Sequence, residues 1–173
     1  MVLQRLPMIK NDLISRTITL NQEEQFTAHK AAIFLAENNP NYWPTATTGS
    51  VLSLHDFLAQ DAQSIASEWV VAKLMGYGFD PYKQKGKRIA DVGDNLEIRW
   101  TKYDYGKLIV RKYDRNEDIA ILVTGEGPAY TVVGAMPVKM ARTDKYKHPT
   151  QPNYWVPQPD LRTIEMALYA NTL

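Results

Sequence analysis

Hydrophobic and polar positions follow two different periods along this chain, and the changes of period mark its elements. Residues 14–20, I-S-R-T-I-T-L, alternate with period two, which predicts a half-buried strand. Asn21 followed by Glu24 has the form of a capping box, with an acid at the positive helix end. A mostly amphipathic helix is expected from there, carrying Phe26, Lys30, Ile33, Phe34 and Glu37 and stopping at N-N-P, 38–40. Turn formers and two aromatics make 41–50 a loop. A second helix is expected from His55 or Asp56 to Met75, closed by Gly76. Its apolar stripe is Ile65, Trp69, Ala72 and Met75. Glu68 borders that stripe, an uncommon place for a carboxylate because buried acids need partners.

Period two returns after a loop at 76–88. Leu96, Ile98 and Trp100 are apolar while Glu97, Arg99 and Thr101 are polar, so the polar three project from one face of a strand. Asp91 ends a short strand before it, and the Gly93–Asn95 turn folds that strand back beside Glu97. Lys107–Tyr113, Asp118–Thr124 and Tyr130–Met136 predict three further strands. The middle one is so continuously apolar that it belongs in the centre of the sheet. Residues 137–159 are rich in proline and read as loop, and Asp160 is placed as the cap of a closing helix. Helices, then a strand meander, then a helix predict one α/β (α+β) domain over 1–173. It has a mixed central sheet of about five strands flanked by helices.

Composition narrows the functional classes. A chain of 173 residues, 45% hydrophobic and 23% charged, buries a core without staples. With no cysteine it makes no disulfide, thiolate nucleophile or zinc–thiolate site, and it fits a reducing cytoplasm. The N-terminal ten residues lack the apolar core of a signal peptide, and no run is long enough to cross a bilayer, so a cytoplasmic protein without a membrane partner is expected. Net charge +1 gives no global attraction to nucleic acid, so such binding would rest on a local patch. His29, His55 and His148 have no metal-ligand spacing, the serines no nucleophile elbow, and the glycines no phosphate-cradling spacing.

One constellation carries chemistry. Asp91 and Glu97, six residues apart, together with Glu68 offer carboxylates to a divalent metal, and Arg99 offers a cation to a phosphate. For Asp91 alone a solvated turn acid is the better reading, but the three acids together favour a site. Asp94 is assigned to the turn. Lys83, Lys85, Lys87 and Arg88 enter directly before Asp91 and Lys102 follows the strand. They either flank the site and meet a nucleic-acid backbone or form an exposed loop. Tyr82, Trp100, Tyr103 and Tyr105 are read as packing in preference to base-stacking platforms.

The helix S-E-W-V-V-A-K-L-M-G (67–76), the hairpin I-A-D-V-G-D-N-L-E-I-R-W-T (89–101) and the strands L-I-V-R-K-Y and I-A-I-L-V-T-G resemble the PD-(D/E)XK nuclease superfamily, over about residues 60–136. Y-W-V-P-Q-P-D-L (154–161) is similar to the tails of small bacterial or phage proteins with that core. The resemblance implies a restriction-endonuclease-like core with an N-terminal helical extension and a C-terminal loop and helix. It further implies a Mg2+- or Mn2+-dependent nuclease acting on DNA, as a homodimer or within a larger assembly. Asp91 and Glu97 would be metal carboxylates, the Ile98 carbonyl a further ligand, and Glu68 the helix acid. Arg99 stands where the family carries its catalytic lysine, and Ala90 where it carries proline. Arginine stays charged and cannot serve as a base, although it can stabilise charge building on a phosphate. The same resemblance therefore also implies an alternative, a catalytically impaired module that binds nucleic acid or protein.

Overall fold

A computed structural model describes residues 16–39, 52–83 and 89–172. The strand β1 (Arg16–Thr19) leads into α1 (Gln22–Asn38), and the capping box forms as expected: Glu24 N–H donates to Asn21 Oδ1 at 2.9 Å and Asn21 N–H to Glu24 Oε2 at 2.8 Å. The face that α1 buries differs from the expected one. Ala28, Ala31, Ala32 and Leu35 turn inward, whereas Phe26, Ile33 and Phe34 stay exposed. The cause is close approach: α1 packs along α2 (Leu54–Met75), and small side chains let two helix backbones come near each other. The loop expected at 41–50 lies outside the described residues.

Helix α2 starts at Ser53, whose Oγ accepts from Asp56 N–H at 3.1 Å, and ends at Gly76 in the left-handed region with φ +71°. The chain then returns through a tight hairpin. Val92 and Leu96 form one antiparallel bridge across a turn at Gly93, whose φ is +59°. The positive φ strains any other residue there, and a side chain on Gly93 would also crowd the Tyr77 ring at 3.0 Å.

Strands β2 (Leu96–Thr101), β4 (Ile119–Thr124), β5 (Ala129–Pro137) and β1 form a four-stranded mixed sheet in the order β1-β5-β4-β2. β2 runs parallel to β4, and the other neighbours are antiparallel. β4 lies inside as its apolar run predicts, and the reason is visible in its alternation. Ile119, Ile121 and Val123 face the helices, while Ala120 and Leu122 face a second layer. That layer corrects the five-strand sheet. β3 (Leu108–Arg111), expected as a member of the main sheet, pairs instead with β6 (Asn153–Val156) in a separate two-stranded sheet. The segment 137–159 is also more ordered than a loop, holding α3 (Val138–Ala141), a 3₁₀ turn at Asp144–Tyr146 and β6.

The closing helix α4 (Ile164–Asn171) is capped by Thr163, whose Oγ1 accepts from Met166 N–H at 3.2 Å, and not by Asp160. Asp160 is drawn away by Lys145 Nζ at 2.7 Å and by the Tyr146 hydroxyl at 3.0 Å. The described chain is thus a mixed α+β domain of three layers: helices, a four-stranded sheet, and a two-stranded sheet. No described helix is long and apolar enough to cross a membrane.

Candidate functional site

Strand β2 is one edge of the main sheet, β1 being the other, and Asp91, Glu97, Arg99 and Glu68 lie on or beside it. Alternation along β2 turns Leu96 and Ile98 to the helix layer and Glu97 and Arg99 to the β3 layer. Glu68 reaches the edge from the other side, from the middle of α2, with only 2% of its surface exposed. Asp91 stands between the two groups. Its Oδ2 accepts the Ile98 N–H at 2.8 Å, which ties the hairpin to the exposed edge of β2. Asp91 lines, with Glu68, Asp80 and Lys83, a small cleft of about 70 Å3 between α2, the hairpin and the loop after Gly76.

The three acids are therefore divided: Glu68 and Asp91 line one cleft, and Asp91 acts on Glu97 through the electrostatic field. Among the described residues no group of three His, Asp or Glu side chains is arranged to hold a metal. The split follows from strand alternation, because Glu97 and the helix that carries Glu68 lie on opposite faces of β2.

Arg99 occupies the surroundings of Glu97. Its Nη1 donates to Glu97 Oε1 at 2.7 Å and to the Ile98 carbonyl at 3.3 Å, and its Nε to the Ile109 carbonyl at 3.1 Å. Its Nη2 donates to Asp114 Oδ1 at 2.8 Å, and the other Asp114 oxygen accepts Arg111 N–H at 2.8 Å. Two atoms expected as metal ligands, Glu97 Oε1 and the Ile98 carbonyl oxygen, thus already meet a cation. A compact lysine ammonium could not span Glu97 and Asp114 as this planar fork does.

The electrostatics follow the geometry. Burial, and after it the Asp91 carboxylate, push Glu97 above the usual carboxylate value against the pull of Arg99. Burial disfavours the charge on Arg99, but Asp114 and Glu97 outweigh it and raise its pKa further. Asp114 was not among the residues singled out from the sequence. Its signal was an acid in the turn after β3 with no period of its own, indistinguishable there from an ordinary turn aspartate.

The basic residues separate. Lys83 lines the Glu68–Asp91 cleft, whereas Lys102 lies beyond the far end of β2 beside Tyr103. Lys85, Lys87 and Arg88 lie outside the described residues. Tyr82 packs edge-on against Phe34, ring centres 5.5 Å apart, as expected of a packing residue. Asp94 serves the turn and offers its carbonyl to Arg115 at 2.9 Å.

No family model, no curated protein and no solved structure matches this chain.

Proposed function

We propose that this chain is a metal-dependent nuclease with a restriction-endonuclease-like core, hydrolysing phosphodiester bonds in DNA with Mg2+ or Mn2+. The observation that carries the reading is the position of Asp91: fixed by the Ile98 N–H, it shares a cleft with a buried helix glutamate and a field with Glu97. Glu68 and Asp91 would hold the metal, which when bound lowers the pKa of a coordinated water and polarises the phosphate. Lys83, which lines the same cleft, would offer a cation to a phosphate oxygen. Arg99 stays charged and cannot take a proton.

The test is cleavage of plasmid and single-stranded DNA with magnesium, then manganese, beside Asp91→Ala. Cutting by the wild type that the variant loses is expected. Equal cutting by both removes the reading.

One observation favours the second reading, a nuclease-like module that binds without cutting: Arg99 spends both ends of its guanidinium on Glu97 and Asp114. If that pairing has replaced catalysis, the wild type shows no metal-dependent cleavage. Arg99→Lys then gains cleavage only where the remaining carboxylates still form a site.

A further inference from the structure

A second concavity opens at the C-terminal end of β2, in a volume of about 420 Å3. Ligands of open sheets commonly sit beyond the carboxyl ends of parallel strands, and β2 and β4 are the parallel pair here. Gln60 and Gln63 of α2 form one wall, Trp100, Lys102 and Tyr103 another, and Glu126 comes from the loop after β4. The volume lies within the range of small-ligand sites.

Its walls combine three chemistries. Tyr103, the aromatic wall, is 49% exposed, and outside the lining its ring centre lies 5.4 Å from that of the 76% exposed Tyr105. Lys102 Nζ lies 5.2 Å above the Tyr103 ring, which sets a cation beside the aromatic surface. Trp100 is anchored by its Nε1–H donating to the Gly125 carbonyl at 2.8 Å. The amide of Gln63 is oriented: its Oε1 accepts from Gly127 N–H at 3.1 Å and from the Tyr130 hydroxyl. Burial, and after it Glu126, push that phenol up to about 12, so it remains a donor. The Gln63 N–H groups are then the end it offers a ligand.

We propose that this groove binds a segment of single-stranded nucleic acid, stacking an unpaired base on Tyr103 and placing its phosphate by Lys102. The substrate class rests on the nuclease reading. The groove itself adds a strand-binding site that the Glu68–Asp91 cleft does not contain. A base inside a duplex has no free face for Tyr103, so the strand must be unpaired where it enters. Asp91 meets β2 at Ile98 and the groove begins two residues on at Trp100, roughly 7 Å along the strand at about 3.3 Å per residue. A strand running along that edge would meet the cleft beside the middle of β2 and the aromatic groove at its C-terminal end.

The experiment is fluorescence anisotropy with a fluorescein-labelled twelve-nucleotide thymidylate strand, in EDTA so that no cleavage intervenes. Tyr103→Ala is expected to weaken binding about tenfold or more, since stacking one base on an aromatic side chain is worth about 1–3 kcal/mol. Tyr103→Phe keeps the ring and should bind like the wild type, which separates stacking from a structural role of the hydroxyl. Lys102→Ala should reduce the slope of log affinity against log salt by about 0.7. Wild-type affinity in both Tyr103→Ala and Lys102→Ala overturns the groove, as does equal binding of the matching duplex. Binding that Tyr103→Ala weakens, in a wild type that never cleaves, removes the nuclease reading and leaves the groove standing. Cleavage lost in Asp91→Ala, with Tyr103→Ala binding normally, does the reverse.

Discussion

Arg99 Nη2 and Asp114 Oδ1 lie 2.8 Å apart, and with the Arg99–Glu97 contact at 2.7 Å this pair holds the charges at the sheet edge. The Asp114 side chain is 3% exposed and that of Arg99 13%, so neither ion is rehydrated if its partner leaves. Asp114 also accepts Arg111 N–H, which closes the turn after β3 and joins the small sheet to β2.

Removing one partner of such a pair leaves a buried charge and costs about 3–5 kcal/mol, whereas replacing both with apolar groups of similar size is often close to neutral. Asp114→Ala and Arg99→Met should therefore each destabilise strongly, and the double variant Arg99→Met/Asp114→Leu should recover only part of the loss, because Glu97 and the Arg111 N–H still lose their partners. Urea unfolding of the four proteins gives the coupling directly. Single variants that each lose less than about 1 kcal/mol would show the pair to be solvated.

Glu97 supplies a pH dependence. Burial and Asp91 raise its pKa in the folded chain above the ordinary 4.5, so the folded state holds this proton more tightly than the unfolded chain does. Stability contributed by the protonated form is present below the ordinary value. It is lost as pH rises through the window up to the raised one. Glu97→Gln removes that loss. Melting temperatures measured from pH 4 upward should show the variant gaining on the wild type as pH rises. This gain starts from whatever deficit the lost Arg99 contact imposes. A difference that stays flat with pH would place Glu97 in water.

The local elements were legible because their causes are local. The Asn21–Glu24 box, the Gly76 stop and the Gly93 turn each need a few adjacent residues, and all three stand where the sequence puts them. β4 was legible through its length of apolar residues. Long-range choices were not. Leu108 and Val110 alternate as well for a two-stranded sheet as for the main one, and pairing with β6 depends on a segment whose prolines suggested only loop. The site was half legible for the same reason. Asp91, Glu97 and Glu68 were identifiable by type and spacing. That Glu97 faces away from the helix that carries Glu68 depends on which face of β2 receives α2. Asp114 depends on where the turn after β3 folds back.

Helix α1 gives a test of its unexpected face. Ala32 is fully buried against α2, whereas Phe26 is 58% exposed. Phe26→Ala should change stability by less than about 0.5 kcal/mol, as exposed substitutions do. Ala32→Leu should cost about 1–3 kcal/mol, because the helices have no room for three more carbons. Thermal or urea unfolding ranks the two, and a reversed order would put the aromatic face inward.

The seat of the metal is the last and most discriminating prediction. If Glu68 and Asp91 hold it in their cleft, magnesium binds the folded chain only and raises its melting temperature in proportion to the logarithm of concentration. Glu68→Gln and Asp91→Asn should each abolish that rise, since both remove a carboxylate lining the cleft. Glu97→Gln should keep it, because Glu97 Oε1 is already engaged by Arg99 at 2.7 Å. The opposite result, a rise lost in Glu97→Gln and kept in Glu68→Gln, would mean that magnesium displaces the guanidinium from Glu97 and Ile98. Arg99 would then be a movable counter-ion that yields to the metal, and its contact with Asp114 would be where it is held meanwhile.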